Sequence, residues 1–511
     1  MKKWTVSWMV ILFIFLYLPH GQGQEKTGNP GELYDFSMEL YHKGRCEEAI
    51  QGFLKIIQTS PSSKLVSYSQ YMIGLCYLKE GKYQEAIPKL EFYLKTNPEG
   101  DRVGEAERGI QLAKDQLKEK ASAPSVETNT AIKKSLLEDK RIKRRICTQV
   151  FFFKEKNLEE VEKRLKELKS AGLNTLILKV FQGKGERTYK FVTPRHEEGV
   201  YFETEYAPVV EDILGKVAEI AHRNGLEIFA WIPTRYANYG LQGPPEYRCK
   251  SYNFETKKME VAKGFNLFHP DVIKRLEGLF RDLGRYPIDG ILFQDDLILK
   301  HNEDFSTEAN KAFLKEFGYS PHPDLFYIDP YKSESGKYYV KAYTDHFWTW
   351  VNWKNRWLME VANRLMEAAR ASNPNLKFGI NLYFETVHNP SNGVAWFSQS
   401  LSEALTKDFD YYAFMTYHRQ TMKELNMEEK KIIDLIAEVA RKAIKTIGDP
   451  AKVLMKVQIL DWKSHEVIPK KEVDRILAEI LSHGEVSLAF VPYIYQFPFH
   501  SLREKWTNTG P

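Results

Sequence analysis

Two adjacent carboxylates, Asp295 and Asp296, close an apolar run at 288–293. Like charges held together away from water resist ionisation, so one member of such a pair keeps its proton where an isolated aspartate has lost it. A protonated carboxyl is what a leaving glycosidic oxygen needs from a general acid, and a neighbouring carboxylate can orient that acid or stabilise positive charge. Asp295 is assigned the acid role and Asp296 the orienting one. Ligation of a metal or capping of a helix by one of the two is the plain alternative. A second working group is needed, and the candidates among the side chains are Glu385, Asp461, Glu303 and Asp304. Around these stand Trp231, Tyr236, Tyr383, Trp396, Tyr417, Trp462 and Tyr495, at or just after the ends of apolar runs. Aromatic faces stack on the apolar C–H faces of sugar rings. Arg235 and Asp461 are polar candidates for the same binding surface.

The elements that must position these residues begin near residue 145. Short apolar runs rich in β-branched and aromatic residues occur at 146–153, 174–181, 226–233, 288–293, 376–384, 410–415, 452–460 and 486–493. Helical patterns lie between them at 158–170, 209–224, 271–283, 346–372, 400–406, 428–447 and 470–482, and Gly172 and Gly225 follow two of these as stop signals. Strands alternating with helices in this number predict a (β/α)8 barrel over 146–505, with its chemistry at the C-terminal strand ends. A doubly wound open sheet is the alternative, but it calls for a glycine-rich loop after the first strand, and 154–158 contains no glycine.

Three stretches carry a family resemblance: Asp289-Gly-Ile-Leu-Phe-Gln-Asp295-Asp296, Asn389-Pro-Ser-Asn-Gly-Val-Ala-Trp396-Phe-Ser-Gln399 and Gln458-Ile-Leu-Asp461-Trp462. Ala230-Trp231-Ile-Pro233 and Asn266-Leu-Phe-His-Pro270 are weaker echoes in the same order. Together they resemble the C-terminal hydrolase domain of the bifunctional poly-β-1,6-N-acetylglucosamine deacetylases, the PgaB type of glycoside hydrolase family 153. The resemblance implies internal cleavage of a partially deacetylated poly-β-1,6-N-acetylglucosamine, a biofilm exopolysaccharide, with no cofactor. It also implies cleavage by the Asp pair and a sugar groove lined by Trp396 and Trp462. Two departures stand out. Gln294 occupies the place of the family's usual histidine, and helical repeats replace the N-terminal deacetylase domain, with no Asp-His-His metal motif. The alternative function is a non-catalytic polysaccharide-binding protein, docked to an export complex through its repeats. A related barrel acting on another glycan is a third reading.

The repeats lie in 31–117. Tyr41-His-Lys-Gly44-Arg-Cys-Glu-Glu48-Ala49-Ile50 aligns with Leu78-Lys-Glu-Gly81-Lys-Tyr-Gln-Glu85-Ala86-Ile87, and Pro61 with Pro98. Glycine ending one helix, alanine allowing close packing of the next and proline stopping it are the logic of a tetratricopeptide-like pair, capped by a further helix at 103–120. Such a module either docks a protein partner or supports the barrel. Residues 118–145 read as a linker. At the N-terminus, Lys2 and Lys3 precede an apolar run at 10–18, with Gly21, Gly23 and Gln24 following. This pattern reads as a signal peptide over 1–23, too short for a membrane span and without a lipid-anchored cysteine. It predicts a periplasmic or secreted protein. A net charge of +5 over 511 residues argues against a nucleic-acid partner. Cys46, Cys76, Cys147 and Cys249 match no metal spacing.

Overall fold

The computed structural model describes residues 30–42, 45–61, 63, 65–98, 102–121, 142–240, 243–334, 336 and 338–502. The leader expected over 1–23 and the stretch 122–141 of the expected linker lie outside the described residues. The chain divides into two compact units on either side of residue 141.

The first unit is all-helical: α1 (Pro30–His42), α2 (Cys46–Thr59), α3 (Leu65–Lys79), α4 (Tyr83–Thr96) and α5 (Val103–Ala121), each packed on the next. Helix α2 buries Ala49, Ile50, Phe53 and Ile56, the three-to-four spacing of a helix with one apolar stripe. Ala49 and Ala86 are both fully buried. Gly81 follows α3 in the left-handed region at φ 69°, where a side chain would be strained. A Cβ on Gly74 would come within 2.7 Å of Leu90, so α3 and α4 approach more closely there than any larger residue allows. Gly44 lies outside the described residues.

The second unit is a closed barrel of parallel strands. In chain order these are β1 (Ile146–Val150), β2 (Thr175–Lys179), β3 (Glu227–Ile232), β4 (Gly290–Phe293), β5 (Lys377–Tyr383), β6 (Tyr411–Thr416), β7 (Val453–Gln458) and β8 (Ser487–Val491). Each pairs with its sequence neighbour, and β8 returns to β1. The fold class is therefore the expected (β/α)8 barrel, preceded in sequence by helical repeats.

Strand parity divides the side chains. Ile228, Ala230 and Ile232 of β3 join the large core shared with the surrounding helices, whereas Phe229 and Trp231 join a separate cluster inside the barrel with Cys147, Ile177, Leu292, Ala413 and Leu454. The same alternation turns Gln149, Asn381, Tyr383, Tyr417, Lys456 and Gln458 inward. The N-terminal mouth is closed by Arg145, which donates to the Tyr411 hydroxyl and to Thr175 and pairs with Glu227. The lumen thus opens at the C-terminal strand ends. Helix Leu158–Ser170 is typical of the outer ring: Asn157 caps it by accepting from the Glu160 N–H, and Val161, Leu165 and Leu168 face the strands.

Two hairpins rise from the loops after β3 and β4, Arg248–Asn253 with Lys258–Phe265 and Tyr327–Lys332 with Tyr338–Tyr343. They pack on one another through Tyr252 and Tyr327, whose rings stack at 6.1 Å, and through Phe254. Neither was anticipated, nor were helices Thr307–Phe317 and His418–Leu425. Among the described residues no helix is long and apolar enough to cross a membrane.

Candidate active site

Asp295 and Asp296 leave β4 in different directions. Asp296 is 3% exposed and accepts from the Thr234 and Tyr236 N–H groups and from the Thr234 hydroxyl, at 2.8–3.0 Å. It therefore fastens the end of β3 to the end of β4. Burial pushes its carboxyl up to about 6, partly countered by the N–H donors of Tyr236 and Thr234. With its oxygens bound to the β3 loop, Asp296 is an orienting group.

Asp295 is half-buried at the lumen mouth. Its charge acts on the hydroxyls of Tyr383 and Tyr417 and on the ammonium of Lys456, which come from β5, the end of β6 and β7. The two tyrosines each lead to a tryptophan. The Tyr383 ring stacks on Phe397 at 4.0 Å and 8°, and Phe397 meets Trp396 edge to face at 6.3 Å. The Trp396 indole donates in turn to the Tyr343 hydroxyl at the base of the second hairpin. In the second arm the Tyr417 ring meets Trp462 edge to face at 5.8 Å. Two aromatic arms, one through Tyr383 and one through Tyr417, thus lead away from the groups on which Asp295 acts.

Glu385 begins a single helical turn after β5. Its field, like that of Asp295, reaches the Tyr383 hydroxyl. Burial, with a smaller repulsion from Glu424, raises its carboxyl to about 7, and burial also raises Glu424. Its Oε2 is buried without a hydrogen-bond partner among the described residues, as are Gln149 Oε1, Trp231 Nε1 and Gln294 Oε1. Buried polar atoms are nearly always partnered, so their gathering around one barrel mouth marks a place where a polar ligand completes the bonding.

Other expected site residues are engaged elsewhere. Arg235 is fully buried: it pairs with Glu303 at 3.0 Å, donates to the Ile298 carbonyl and lies against Gly264, where a Cβ would collide with the guanidinium. Arg235 is thus a strut beneath the first hairpin, out of reach of a sugar. Glu303 is held low by Arg235 against the opposing effect of burial, and Asp304 accepts from the Lys250 and Ser306 N–H groups. Asp461 is also filled by the protein, accepting from Lys423, Arg419 and the Lys463 and Ser464 N–H groups. Burial pushes its carboxyl up, but those N–H groups and the Lys423 ammonium prevail and hold it at about 2. It shapes the turn that presents Trp462. Trp231 is 7% exposed, with Phe151 stacked on it at 5.1 Å and Phe181 against it at 5.6 Å, so it offers an edge rather than a stacking face. Tyr495 is 59% exposed and lies under the Arg164 guanidinium at 3.9 Å, apart from the interactions that join Asp295, Tyr383 and Tyr417. Replacing Arg235 with Met leaves the Glu303 carboxylate buried without its partner. Chemical denaturation is expected to register a loss of about 3–5 kcal/mol.

Sequence reading missed Lys456, Asn381, Gln149 and Glu424. The first three are polar residues at inward positions of otherwise apolar strands, a period-two signal visible once the register is known. Glu424 lies on helix His418–Leu425, which was not foreseen. Among the described residues no group of three or more His, Cys, Asp or Glu gathers as a metal would require.

The pattern of the hypothetical glycosyl hydrolase family 13 matches residues 153–491, more than half of the chain. The chain belongs to this family. It is a glycoside hydrolase, and the lumen mouth lies within the matched region. It is similar to the poly-β-1,6-N-acetyl-D-glucosamine N-deacetylase of Escherichia coli strain K12, at 25% identity over 311 residues. The matched part is 57% of this chain and 42% of that relative, so the chain spans less than half the length of the curated relative. The same figures hold for the protein of that name from Escherichia coli O157:H7. The fold is that of the PgaB (BpsB) glycoside hydrolase domain from Bordetella bronchiseptica, with a TM-score of 0.56 and 20% identity over 72% of this chain and all of that one. The resemblance read from the three motifs holds for family and fold.

Proposed function

We propose that this protein cleaves a partially deacetylated poly-β-1,6-N-acetylglucosamine, or a closely related amino-sugar polymer, within the chain and outside the cytoplasm. Asp295 carries this reading: a half-buried carboxyl at the end of β4, where barrel enzymes keep their catalysts, between aromatic arms ending in Trp396 and Trp462. Two such arms suit a polymer that engages the protein through more than one sugar unit. The curated relatives named for this polymer supply the substrate class.

Glu385 is the carboxyl that delivers the proton in this reading. A carboxyl raised to about 7 is protonated over much of the neutral range and can give its proton to a departing oxygen. Asp295 then stabilises the anomeric carbon as it becomes cationic, water adds at that carbon after the leaving sugar departs and returns a proton to Glu385, and Asp296 steadies the strand end. Tyr383 lies within the fields of both working carboxyls and couples them. The helical repeats fit a protein-docking role beside a polymer export system, and the leader pattern at 1–23 fits export.

A reducing-end assay on a panel of polymers tests this reading. New ends are expected from partially deacetylated β-1,6-linked polymer and not from β-1,4-linked chitosan. Release from chitosan alone would transfer the activity to another amino-sugar polymer. Retention of every polymer without release would make this a binding protein.

A further inference from the structure

The barrel lumen contains a charge that the reaction as described does not use. Lys456 is 2% exposed and faces inward from β7, one inward position beyond Leu454, which belongs to the apolar plug of the lumen. Its ammonium donates to Asn381 Oδ1 at 3.0 Å, and Asn381 is itself fixed by donating to the Phe293 carbonyl at 2.8 Å. The ring of Tyr417 lies 5.8 Å from the ammonium. An ammonium has three donors. Only one has an acceptor among the described residues, and no carboxylate there lies within ion-pair distance. The nearest compensating field is that of Asp295. A buried charge so poorly partnered is costly for folding. The neighbouring inward residues Leu454, Gln458 and Asn381 are uncharged, so none of them calls for an ammonium at this position.

We infer that Lys456 is a substrate-contacting residue, which donates a remaining ammonium hydrogen to an oxygen of the sugar unit held against Asp295. The inference rests on the proposed role of Asp295. Asn381 holds the ammonium by accepting from it, and the Tyr417 ring lies beside it. A sugar oxygen arriving at the mouth meets a donor already desolvated and oriented, so the bond forms without reorganisation. Gln149 Oε1 and Gln294 Oε1, buried and unpartnered among the described residues, can accept from the hydroxyls of that unit.

The test compares Lys456→Met and Lys456→Gln with the unmodified full-length protein, by steady-state kinetics on the partially deacetylated polymer and by thermal denaturation. Methionine matches the length of the lysine stem and removes the buried charge. Lys456→Met is expected to melt at or above the temperature of the unmodified protein, while its kcat/KM falls about 10–150-fold, the range for a charged hydrogen bond of roughly 1.5–3 kcal/mol. The loss should fall mainly on kcat, because the aromatic arms still bind the polymer. Lys456→Gln should show a similar loss. Burial depresses the Lys456 ammonium to about 8, so the alkaline limb of the unmodified protein should steepen above that pH, and in both variants it should not. The facing charged and titratable groups are Asp295 from β4 and Tyr417 from the end of β6. Unchanged kcat/KM in Lys456→Met overturns the inference. So does a fall in melting temperature parallel to the loss of activity, which is the mark of a structural lysine. If Asp295→Asn is inactive in the same assays, either result leaves the role of Asp295 standing. Full activity of Asp295→Asn removes the ground for both.

Discussion

Asp295→Asn is expected to lower kcat on the polymer by about 10³–10⁴-fold while leaving the melting temperature within a few degrees of the unmodified value. The size follows from the role. A preorganised charge facing a developing cation in a partly water-excluded site is worth roughly 10²–10³ in rate, and its removal also disturbs the proton transfer it is coupled to. The small structural effect follows from the surroundings. Asp295 is half-buried, and its interactions with Tyr383, Tyr417 and Lys456 are through the field rather than through direct bonds. Asparagine fills the same volume. Kinetics beside circular dichroism and thermal denaturation checks both parts. A tenfold effect or less would show that the negative charge of Asp295 is not what the transition state uses.

Glu385→Gln should produce a loss of about 10²–10⁴-fold on the polymer, with a different signature. If Glu385 delivers the proton, a substrate whose leaving group needs none, such as a nitrophenyl glycoside, should be cleaved within about tenfold of the normal rate. The alkaline limb set by the carboxyl at about 7 should also vanish in the variant. Stability should move the opposite way. The folded-state value lies above the unfolded value of about 4.3, so the stability this group contributes is present below that pH and is lost as pH rises through about 7. Glu385→Gln is therefore expected to be more stable than the unmodified protein at pH 8, and the difference should shrink toward pH 4. Equal losses on polymer and nitrophenyl glycoside would return the proton to Asp295.

Much of this was legible in the sequence, and its limits have physical reasons. The barrel strands announce themselves because both faces are buried, giving nearly continuous apolar runs such as 288–293, where Asp289 is the one polar side chain. The Asp pair was visible because it ends such a run, and so were Tyr383, Tyr417, Trp396 and Trp462. What one sequence does not reveal is whether a charge has a partner. Arg235 and Asp461 have residue types that bind sugars, but Glu303 occupies the first, and Lys423 with two backbone N–H groups occupies the second. Those partners are distant in the chain or come from the backbone. The roles of Asp295 and Asp296 turn on the same point, because the N–H groups of Thr234 and Tyr236 claim one carboxylate and leave the other facing the lumen. Lys456 was passed over as one polar residue in an apolar strand; only closure of the barrel places it opposite β4. The hairpins at 248–265 and 327–343 escaped notice because their strands have few buried positions and carry little apolar periodicity.

The central claim, internal cleavage by the Asp295 site, is tested most directly by mass spectrometry of the products. The unmodified protein and Asp295→Asn would each be incubated with partially deacetylated poly-β-1,6-N-acetylglucosamine. A ladder of short oligosaccharides from the unmodified protein alone is the predicted result. Intact polymer in both samples, or the same ladder from both, would contradict it.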